Sequence, residues 1–220
     1  MTVCKLEHIS KHFRNGETIT PLKDINLEIS KSEFVVIEGP SGMGKSTLLY
    51  VIGTLLKSDG GSLFIDGRNV AEMTDEEQTS LRADKIGFLF QDSNLIQALT
   101  LRENLEFAEK ISNSKKDCSA VDEYLEKLGL SDRADYLPHQ LSGGQKRRAM
   151  VARALIKNPM LILADEPTND LDDVWAGKII ELLNDCCRNG ASVVMVTHDE
   201  KWTTNATRKY SLEDGILVKL

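Results

Sequence analysis

The 220-residue chain lacks the features that mark a membrane-spanning or exported protein. Its longest apolar runs, such as residues 34–37 and 193–196, are only long enough for a strand, whereas a spanning helix needs about 20 apolar residues. The N-terminus has no apolar segment of the kind found in signal peptides. We therefore expect a cytoplasmic protein, for which any role at a membrane needs another chain.

Cysteine is scarce, and basic residues are outnumbered by acidic ones. The four cysteines, Cys4, Cys118, Cys186 and Cys187, have neither CxxC nor metal-ligand spacing, which predicts reduced thiols rather than disulfides or a metal site. The formal net charge is −7, so the surface as a whole repels polyanions, and nucleic acid is not an expected partner. The 41% hydrophobic content is enough for one substantial core.

Apolar, strand-like runs alternate with helix-forming segments along most of the sequence. Thr74 with Glu77, and Thr100 with Glu103, have the spacing of a capping box, which predicts a helix start at each threonine. The alternation implies parallel βαβ units, and the helix-rich middle of the chain has the composition of an insertion. Strands are predicted at residues 3–9, 22–29, 34–38, 62–66, 86–91, 160–164 and 192–197, and the longer helices at 45–56, 142–157 and 172–188.

A glycine-rich segment follows the predicted strand 34–38 and opens the next helix. Glycines let backbone N–H groups turn inward around a phosphate, and the helix N-terminus adds partial positive charge. Lys45 would reach the β- and γ-phosphates, and Ser46 would offer its hydroxyl to Mg²⁺. A plain glycine turn would not explain the Gly-Lys-Ser-Thr run beside an apolar strand. The match to G-x-x-x-x-G-K-[ST] predicts nucleoside triphosphate binding, without choosing ATP or GTP, by Gly39, Pro40, Ser41, Gly42, Met43, Gly44, Lys45, Ser46 and Thr47.

Two carboxylates, Asp165 and Glu166, follow the apolar run 161–164. A strand that is buried on both faces excludes charge from its middle, so polar chemistry can lie only at its end. We expect Asp165 to hold Mg²⁺ through water. Glu166 is the next residue and would point to the opposite face of the strand, where it would polarise the attacking water. A solvated strand end is the usual explanation of such a pair, but the phosphate loop upstream favours catalysis here.

The segment Leu141-Ser142-Gly143-Gly144-Gln145 precedes a helix-forming stretch, and Ser142 is typical of an N-cap whose neighbouring amides face an anion. LSGGQ is the signature of the ABC ATPase family, and the chain resembles that family over nearly its whole length, with every motif in family order. The resemblance implies an ATPase with an α/β fold. It would have a P-loop NTPase core with a mostly parallel sheet, an N-terminal antiparallel β subdomain and an inserted helical subdomain.

The resemblance also implies the domain bounds and further site residues. A single ABC ATPase domain would comprise the core with its β subdomain, residues 1–91 and 158–220, and a helical subdomain at about 92–157. Gln91 resembles the Q-loop glutamine that touches Mg²⁺ and senses the γ-phosphate, and His198 resembles the switch histidine that contacts that phosphate. Residues 169–172 resemble the D-loop, which crosses to the partner subunit. Phe13 matches the aromatic residue that stacks on adenine and favours ATP, although the family more often has Tyr there.

A head-to-tail dimer is the working form of the family's cassettes. In such a dimer, ATP on the phosphate loop of one subunit is covered by Ser142 and Gly144 of the other. The resemblance therefore implies a homodimer that closes on two ATP and drives membrane permease subunits from the cytoplasmic face of the cell membrane. Residues 91–104 are similar to the ATPases of lipoprotein-releasing, macrolide-export and cell-division permeases, which favours export or extraction from the membrane. The alternative is a soluble, non-transport ABC ATPase, but the sequence has no long coiled-coil insertion or second cassette.

Overall fold

The computed structural model describes residues 1–112 and 119–220, so Cys118 lies outside the described residues. The strands are β1 Thr2–Asn15, β2 Glu17–Ser30, β3 Phe34–Glu38, β4 Gly60–Ile65, β5 Arg68–Asn69, β6 Ile86–Leu89, β7 Leu161–Asp165, β8 Ser192–Val196, β9 Arg208–Glu213 and β10 Ile216–Lys219. The helices are α1 Lys45–Ile52, α2 Asp75–Lys85, α3 Leu101–Lys110, α4 Ser119–Lys127, α5 Gly143–Leu155 and α6 Asp173–Arg188.

Six strands lie side by side in the order β10-β9-β3-β8-β7-β6. Neighbours from β9 to β6 run parallel, and β10 is antiparallel to β9. Along β3, Phe34 and Val36 enter one buried cluster while Val35 and Ile37 enter another, because successive side chains point to opposite faces. Both faces of the central strands β3, β8 and β7 are therefore buried, and the polar residues of these strands lie at the strand ends.

A second sheet, in the order β2-β1-β4-β5, is antiparallel throughout. The hairpin of β1 and β2 is longer than the predicted strands 3–9 and 22–29. Register shifts between Leu6 and Ile9, and again before Phe13, interrupt the alternation of side chains, so the sequence pattern under-predicts these strands. The extended hairpin pairs Phe13 with Ile19 near its tip.

Helix α1 lies between the two sheets, because Leu48 and Ile52 share one buried cluster with Ile9 of β1 and Ile37 of β3. Helices α3, α4, α5 and α6 contribute to the cluster on the opposite face of the six-stranded sheet. The predicted α/β class is confirmed, with a mostly parallel sheet, an antiparallel N-terminal sheet and a helix-rich middle. The domain bounds inferred from the sequence stay a prediction.

The predicted helix starts are confirmed. Thr74, Thr100 and Ser142 each cap a helix, and the residue three positions later returns a hydrogen bond in a reciprocal capping box. Helix α1 is shorter than predicted and is closed by Gly53. Within the two described segments, no helix is both long enough and apolar enough to cross a bilayer.

Candidate active site

The conformation of the loop between β3 and α1 requires glycine at several positions, even without a bound ligand. Gly42 and Gly44 have φ values of 81° and 93°, in the region that favours glycine. A Cβ on Gly39 would lie 2.4 Å from the carbonyl oxygen of Leu212, and one on Gly44 would lie 2.6 Å from that of Pro21. The neighbouring strands therefore fix the path of the loop, which leads into the N-terminus of α1.

The side chain of Lys45 turns back onto this loop. Its Nζ donates hydrogen bonds to the carbonyl oxygens of Gly39 at 2.5 Å and Pro40 at 2.8 Å. Burial lowers the pKa of Lys45, and the nearby carboxylates of Glu166 and Asp165 act in the opposite direction. Because both present partners are neutral carbonyls, phosphate oxygens would form stronger, charge-assisted hydrogen bonds with the same ammonium group.

Asp165 is the last residue of β7, at the carboxyl end of the parallel sheet. Burial raises the pKa of Asp165, and a hydrogen bond from the Ser46 side chain opposes that rise. Its Oδ2 is buried and has no hydrogen-bond partner among the described residues. A carboxylate and a hydroxyl are ligands that Mg²⁺ prefers, and Mg²⁺ commonly completes its shell with water and phosphate oxygens. Ser46 and Asp165 therefore fit a Mg²⁺ ion that arrives with a nucleotide.

The described residues around Ser46 and Asp165 do not form a complete coordination shell for a metal ion. Within residues 1–112 and 119–220, no three His, Cys, Asp or Glu side chains are grouped so that they could hold a metal ion. Phosphate oxygens would therefore be needed to complete the coordination of Mg²⁺.

Glu166 follows β7 rather than continuing it, and the strand ends at Asp165, one residue after the predicted end at 164. Its φ of 46° begins a turn, and its backbone N–H donates to the carbonyl of Val196 at 3.0 Å, which fixes the turn to β8. The residue is 8% exposed, and its Oε2 is buried without a hydrogen-bond partner in the described part of the chain. This oxygen is therefore available to accept a hydrogen bond from a water molecule.

His198 lies two residues beyond the end of β8, and its Nδ1 is 2.8 Å from Oε1 of Glu166. An ionised carboxylate only accepts hydrogen bonds, so Nδ1 is the donor in this pair. The histidine side chain is 59% exposed, in contrast to the buried glutamate. The structure thus brings together two of the residues predicted to be catalytic.

A cleft of about 380 Å³ opens beside the phosphate loop. Apolar side chains of the β1–β2 hairpin lie on its wall together with the loop and the two carboxylates, a combination that suits a base joined to a polyanion. Ile19 and Pro21 belong to this wall although no sequence motif singles them out. The lining residues are Phe13, Ile19, Pro21, Ser41, Gly42, Gly44, Lys45, Ser46, Thr47, Gln91, Asp165 and Glu166.

The remaining predicted residues of the phosphate loop and the signature lie outside this wall. Among the described residues that line the cleft, none comes from positions 142–145, and Gly39, Pro40 and Met43 are also absent. The signature segment instead begins α5, where the Ser142 hydroxyl accepts from the N–H of Gln145 at 3.3 Å. One chain therefore holds its phosphate loop and its signature in separate places.

The signature glycines pack against a turn of their own chain. A Cβ on Gly143 would lie 3.5 Å from Cβ of Asp170, and one on Gly144 would lie 3.0 Å from the Asp170 carbonyl oxygen. Asp170 has a φ of 64° and belongs to the predicted D-loop. Small residues at these positions therefore allow α5 to approach the 169–172 segment closely.

A buried arginine, Arg147, links two parts of the site and was not recognised from the sequence. Its guanidinium contacts the backbone of Gln91, which lines the cleft, and the backbone of Asn169 in the predicted D-loop. No motif reveals this arrangement, because the three residues are far apart in the sequence.

Comparison with known proteins identifies relatives in sequence and in fold. The model of the ABC transporter family matches residues 22–169. The macrolide export ATP-binding/permease protein MacB of Aggregatibacter actinomycetemcomitans is 38% identical over 221 residues, which cover 99% of this chain but 34% of MacB. The chain thus spans about a third of the length of the macrolide-export relatives it matches. The lipoprotein-releasing system ATP-binding protein LolD of Shewanella frigidimarina is 36% identical and is matched over 97% of this chain and 91% of its own.

A relative of similar size also has a solved structure. The ABC transporter ATP-binding protein MJ0796 of Methanocaldococcus jannaschii is 43% identical over 220 residues, covering 96% of this chain and 93% of its own. A dimeric structure of MJ0796, in a post-hydrolysis state bound to ADP and Pi, matches the fold with a TM-score of 0.91 over 99% of this chain and 98% of that one. The similarity therefore extends well beyond residues 22–169.

Proposed function

This chain belongs to the ABC transporter family of ATPases, and on that premise we propose that it is the subunit whose ATP hydrolysis drives separate membrane permease subunits. The observation that best supports the proposal is the cleft in which the phosphate loop, Asp165 and Glu166 meet. This wall supplies groups for a triphosphate, a metal ion and a water molecule. Because these groups are assigned to the nucleotide, the metal ion and water, we expect the permease to select the transported cargo.

Nucleotide binding follows from the charges at the cleft. Lys45 would leave the loop carbonyls for the β- and γ-phosphates, and Phe13 would stack on adenine. Mg²⁺, held by Ser46, Gln91 and Asp165, would neutralise charge on the phosphate oxygens. The loop amides at the N-terminus of α1 would bind the same phosphates through N–H groups and partial positive charge.

Hydrolysis would use the two residues joined by a hydrogen bond. Oε2 of Glu166 would accept a hydrogen bond from water and align it with the γ-phosphorus. A bond from the water oxygen to phosphorus would form as the bond to the ADP oxygen breaks, and the water proton would pass through Glu166 to the released phosphate. His198 would hold Glu166 through Nδ1 while its other ring nitrogen faces the γ-phosphate. Most of the acceleration would come from alignment and charge neutralisation, because phosphoryl transfer needs little covalent help from the protein.

A second copy of the chain would complete each site. The proposal rests on the position of the signature, which does not contribute to the cleft of its own chain. Ser142 and Gly144 of a second copy would cover the ATP on the first, and Gly143 and Gln145 would complete that surface. The dimeric structure of the related MJ0796 supports the pairing of two copies.

The permease would bind beside the edge strand β6. Phe88, Phe90 and Met150 line a groove of about 150 Å³ there, next to the exposed Asn94. The following segment is held in shape by the fully buried Asn104, whose side chain donates to the carbonyls of three residues. The accepting residues are Ile96, Leu99 and Thr100. A docking surface of fixed shape, directly after Gln91, could transmit the state of the γ-phosphate to a membrane partner.

The direction of transport is inferred from relatives. MacB is named for macrolide export and LolD for lipoprotein release, and both support export or extraction of a substrate from the membrane. The chain would then work on the cytoplasmic face of the cell membrane, attached only through the permease.

Copurification tests this proposal against the soluble alternative. The tagged chain is purified from native membranes in mild detergent, and its ATPase rate is compared with that of the isolated chain. We expect a membrane protein to copurify and the rate to change when it is present. A fully active ATPase that never enters the membrane fraction would favour a soluble, non-transport ABC ATPase.

Site-directed crosslinking tests the docking surface. An Asn94→Cys variant, in a background with Cys118 and Cys186 replaced by serine, should crosslink to a cytoplasmic loop of the permease. Val218→Cys is the matched control, because Val218 is also exposed but lies on β10, at the opposite edge of the sheet. Equal crosslinking at both positions, or none at Asn94 with any permease loop, would contradict the assignment.

A further inference from the structure

Arg147 lies in α5 just after the signature, and its side chain is only 4% exposed. Its three nitrogens all donate to backbone carbonyl oxygens. Nη1 donates to Phe90 at 2.8 Å, Nη2 to Gln91 at 2.7 Å and Nε to Asn169 at 3.3 Å. Since all three acceptors are backbone atoms, the guanidinium fixes the path of the main chain on both sides of it.

The charge of Arg147 is compensated by surrounding acids. Nη2 lies 3.8 Å from Oδ2 of Asp170, whose side chain is mostly exposed. Burial lowers the pKa of Arg147, and attraction to the carboxylates of Asp170, Asp165, Asp92 and Glu166 opposes this effect. A buried cation with these neighbours is held in place by its hydrogen bonds rather than by one strong ion pair.

Arg147 is connected by hydrogen bonds to two parts of the cleft. One leads directly to Gln91, which lines the cleft after β6. The other leads to Asn169, whose backbone N–H donates to the carbonyl of Glu166 at 3.2 Å. A single guanidinium therefore connects the residue proposed to touch Mg²⁺ with the turn that carries the proposed water-aligning carboxylate.

We propose that Arg147 is a positioning residue that holds Gln91 and the Glu166–Asn169 turn in fixed relation to each other and to the signature helix α5. The inference rests on the proposed role of Gln91 at the metal. Arg147 touches neither nucleotide nor water in this scheme. It acts through the backbone of residues that do, so its loss should affect metal use and turnover more than nucleotide binding.

A double-mutant cycle on the Mg²⁺-dependent ATPase tests the coupling. Arg147→Gln should lower kcat by roughly 10-fold, since misplacement of reacting groups by a fraction of an ångström has effects of this size, and should raise the Mg²⁺ concentration for half-maximal rate. Because Arg147 would act partly through Gln91, its substitution in a Gln91→Ala background should lower kcat by clearly less than 10-fold, and the remaining effect would come from the Glu166–Asn169 turn. Arg147→Lys should behave like Arg147→Gln, because an ammonium group cannot reproduce the guanidinium fork.

Arg153→Gln is the control for the loss of a partly buried guanidinium. Arg153 lies on the same helix and donates to the carbonyl of Asn94, without contacting Gln91 or Asn169 in the described structure. We expect a loss of thermal stability comparable to that of Arg147→Gln, with kcat and Mg²⁺ dependence within twofold of the parent. Equal kinetic effects in the two variants would show that Arg147 only stabilises the fold, and would overturn the inference.

Two further readouts separate this inference from the proposed function. Hydrogen exchange should be faster at residues 90–92 and 168–170 in Arg147→Gln than in Arg153→Gln. Equal exchange rates in the two variants would overturn the positioning role of Arg147, whatever the ATPase rate. In the cycle, effects of Arg147→Gln and Gln91→Ala that simply multiply would overturn the coupling. If Gln91→Ala alone leaves the Mg²⁺ dependence unchanged, the assignment of Gln91 as a metal ligand fails. Hydrogen exchange then still shows whether Arg147 holds the two backbone segments in place.

Discussion

His198 donates a hydrogen bond from Nδ1 to Oε1 of Glu166 over 2.8 Å, and this bond joins the segments that follow the neighbouring strands β8 and β7. The histidine is exposed and the glutamate is buried. A ligand that contacts His198 from the solvent side would therefore act on the buried carboxylate through one hydrogen bond.

Glu166→Gln should bind ATP nearly as tightly as the parent and hydrolyse it at least 100-fold more slowly. The amide keeps the shape of the side chain but removes the negative charge that polarises water, and general-base groups contribute about 10²–10⁴-fold. Single-turnover hydrolysis and equilibrium ATP binding measure the two quantities separately. Glu126→Gln, on the exposed surface of α4, is the matched control. A parent-like rate in Glu166→Gln would remove Glu166 from the proposed chemistry.

Lys45→Ala should weaken ATP binding by about 10- to 100-fold. Hydrogen bonds to charged groups contribute about 1.5–3 kcal/mol, and Lys45 is the ammonium group that lines the described cleft. Isothermal titration with ATP and Mg²⁺ measures the loss. Lys57→Ala, an exposed lysine beyond the end of α1, should bind ATP normally. Unchanged affinity in Lys45→Ala would contradict the phosphate-loop assignment.

Phe13→Ala should weaken ATP binding by roughly 10-fold, because stacking of a base on an aromatic side chain contributes about 1–3 kcal/mol. Phe13 is 41% exposed at the cleft, so its removal should cost little stability. Phe13→Tyr keeps the ring and should retain affinity. Competition between ATP and inorganic triphosphate gives the decisive comparison, since only the nucleotide should lose affinity in Phe13→Ala. An equal loss for both ligands would exclude a stacking role.

Lys157→Met should stabilise the fold in a pH-dependent way. Nζ of Lys157 donates to the carbonyl of Arg82 at 2.6 Å, and burial lowers the pKa of this lysine from 10.5 to about 8. Between about pH 8 and 10.5 the unfolded chain binds more protons at this site, so stability rises with pH there. The burial cost near neutral pH is about 3.5 kcal/mol at most, because each pKa unit corresponds to about 1.4 kcal/mol.

Chemical denaturation of both proteins across this pH range measures the effect. The stability advantage of Lys157→Met should be largest below pH 8, and should shrink steadily as the parent lysine loses its proton. An advantage that stays constant with pH would show that the side chain is not held as a buried cation.

The sequence was sufficient to predict the site residues that lie directly at the end of a strand or at the start of a helix. Gly39, Gly42 and Gly44 stand at fixed spacing after an apolar strand, and the structure shows close contacts or positive φ at each of them. Asp165 ends a strand that is buried on both faces, where a carboxylate has only one suitable place. Local patterns were enough here because each constraint acts within a few residues.

Long-range contacts were beyond the reach of the sequence. Ile19 lines the cleft because the β1–β2 hairpin continues beyond the predicted strands, across register shifts that interrupt the periodic signal. Arg147 contacts Gln91 and Asn169 only after α5 has packed on the sheet. The left-handed turn at Glu166 was also missed, because the two adjacent acids resembled a simple continuation of the strand.

Nucleotide-driven pairing of two copies is the central claim, and sedimentation velocity of Glu166→Gln with and without Mg²⁺ and ATP tests it most directly. The account predicts a species of twice the mass of the chain when ATP and Mg²⁺ are present, and a single chain when either is absent. The addition of Lys45→Ala to the same protein should abolish the larger species. A protein that binds ATP yet sediments as a single chain at every nucleotide and protein concentration would contradict the claim.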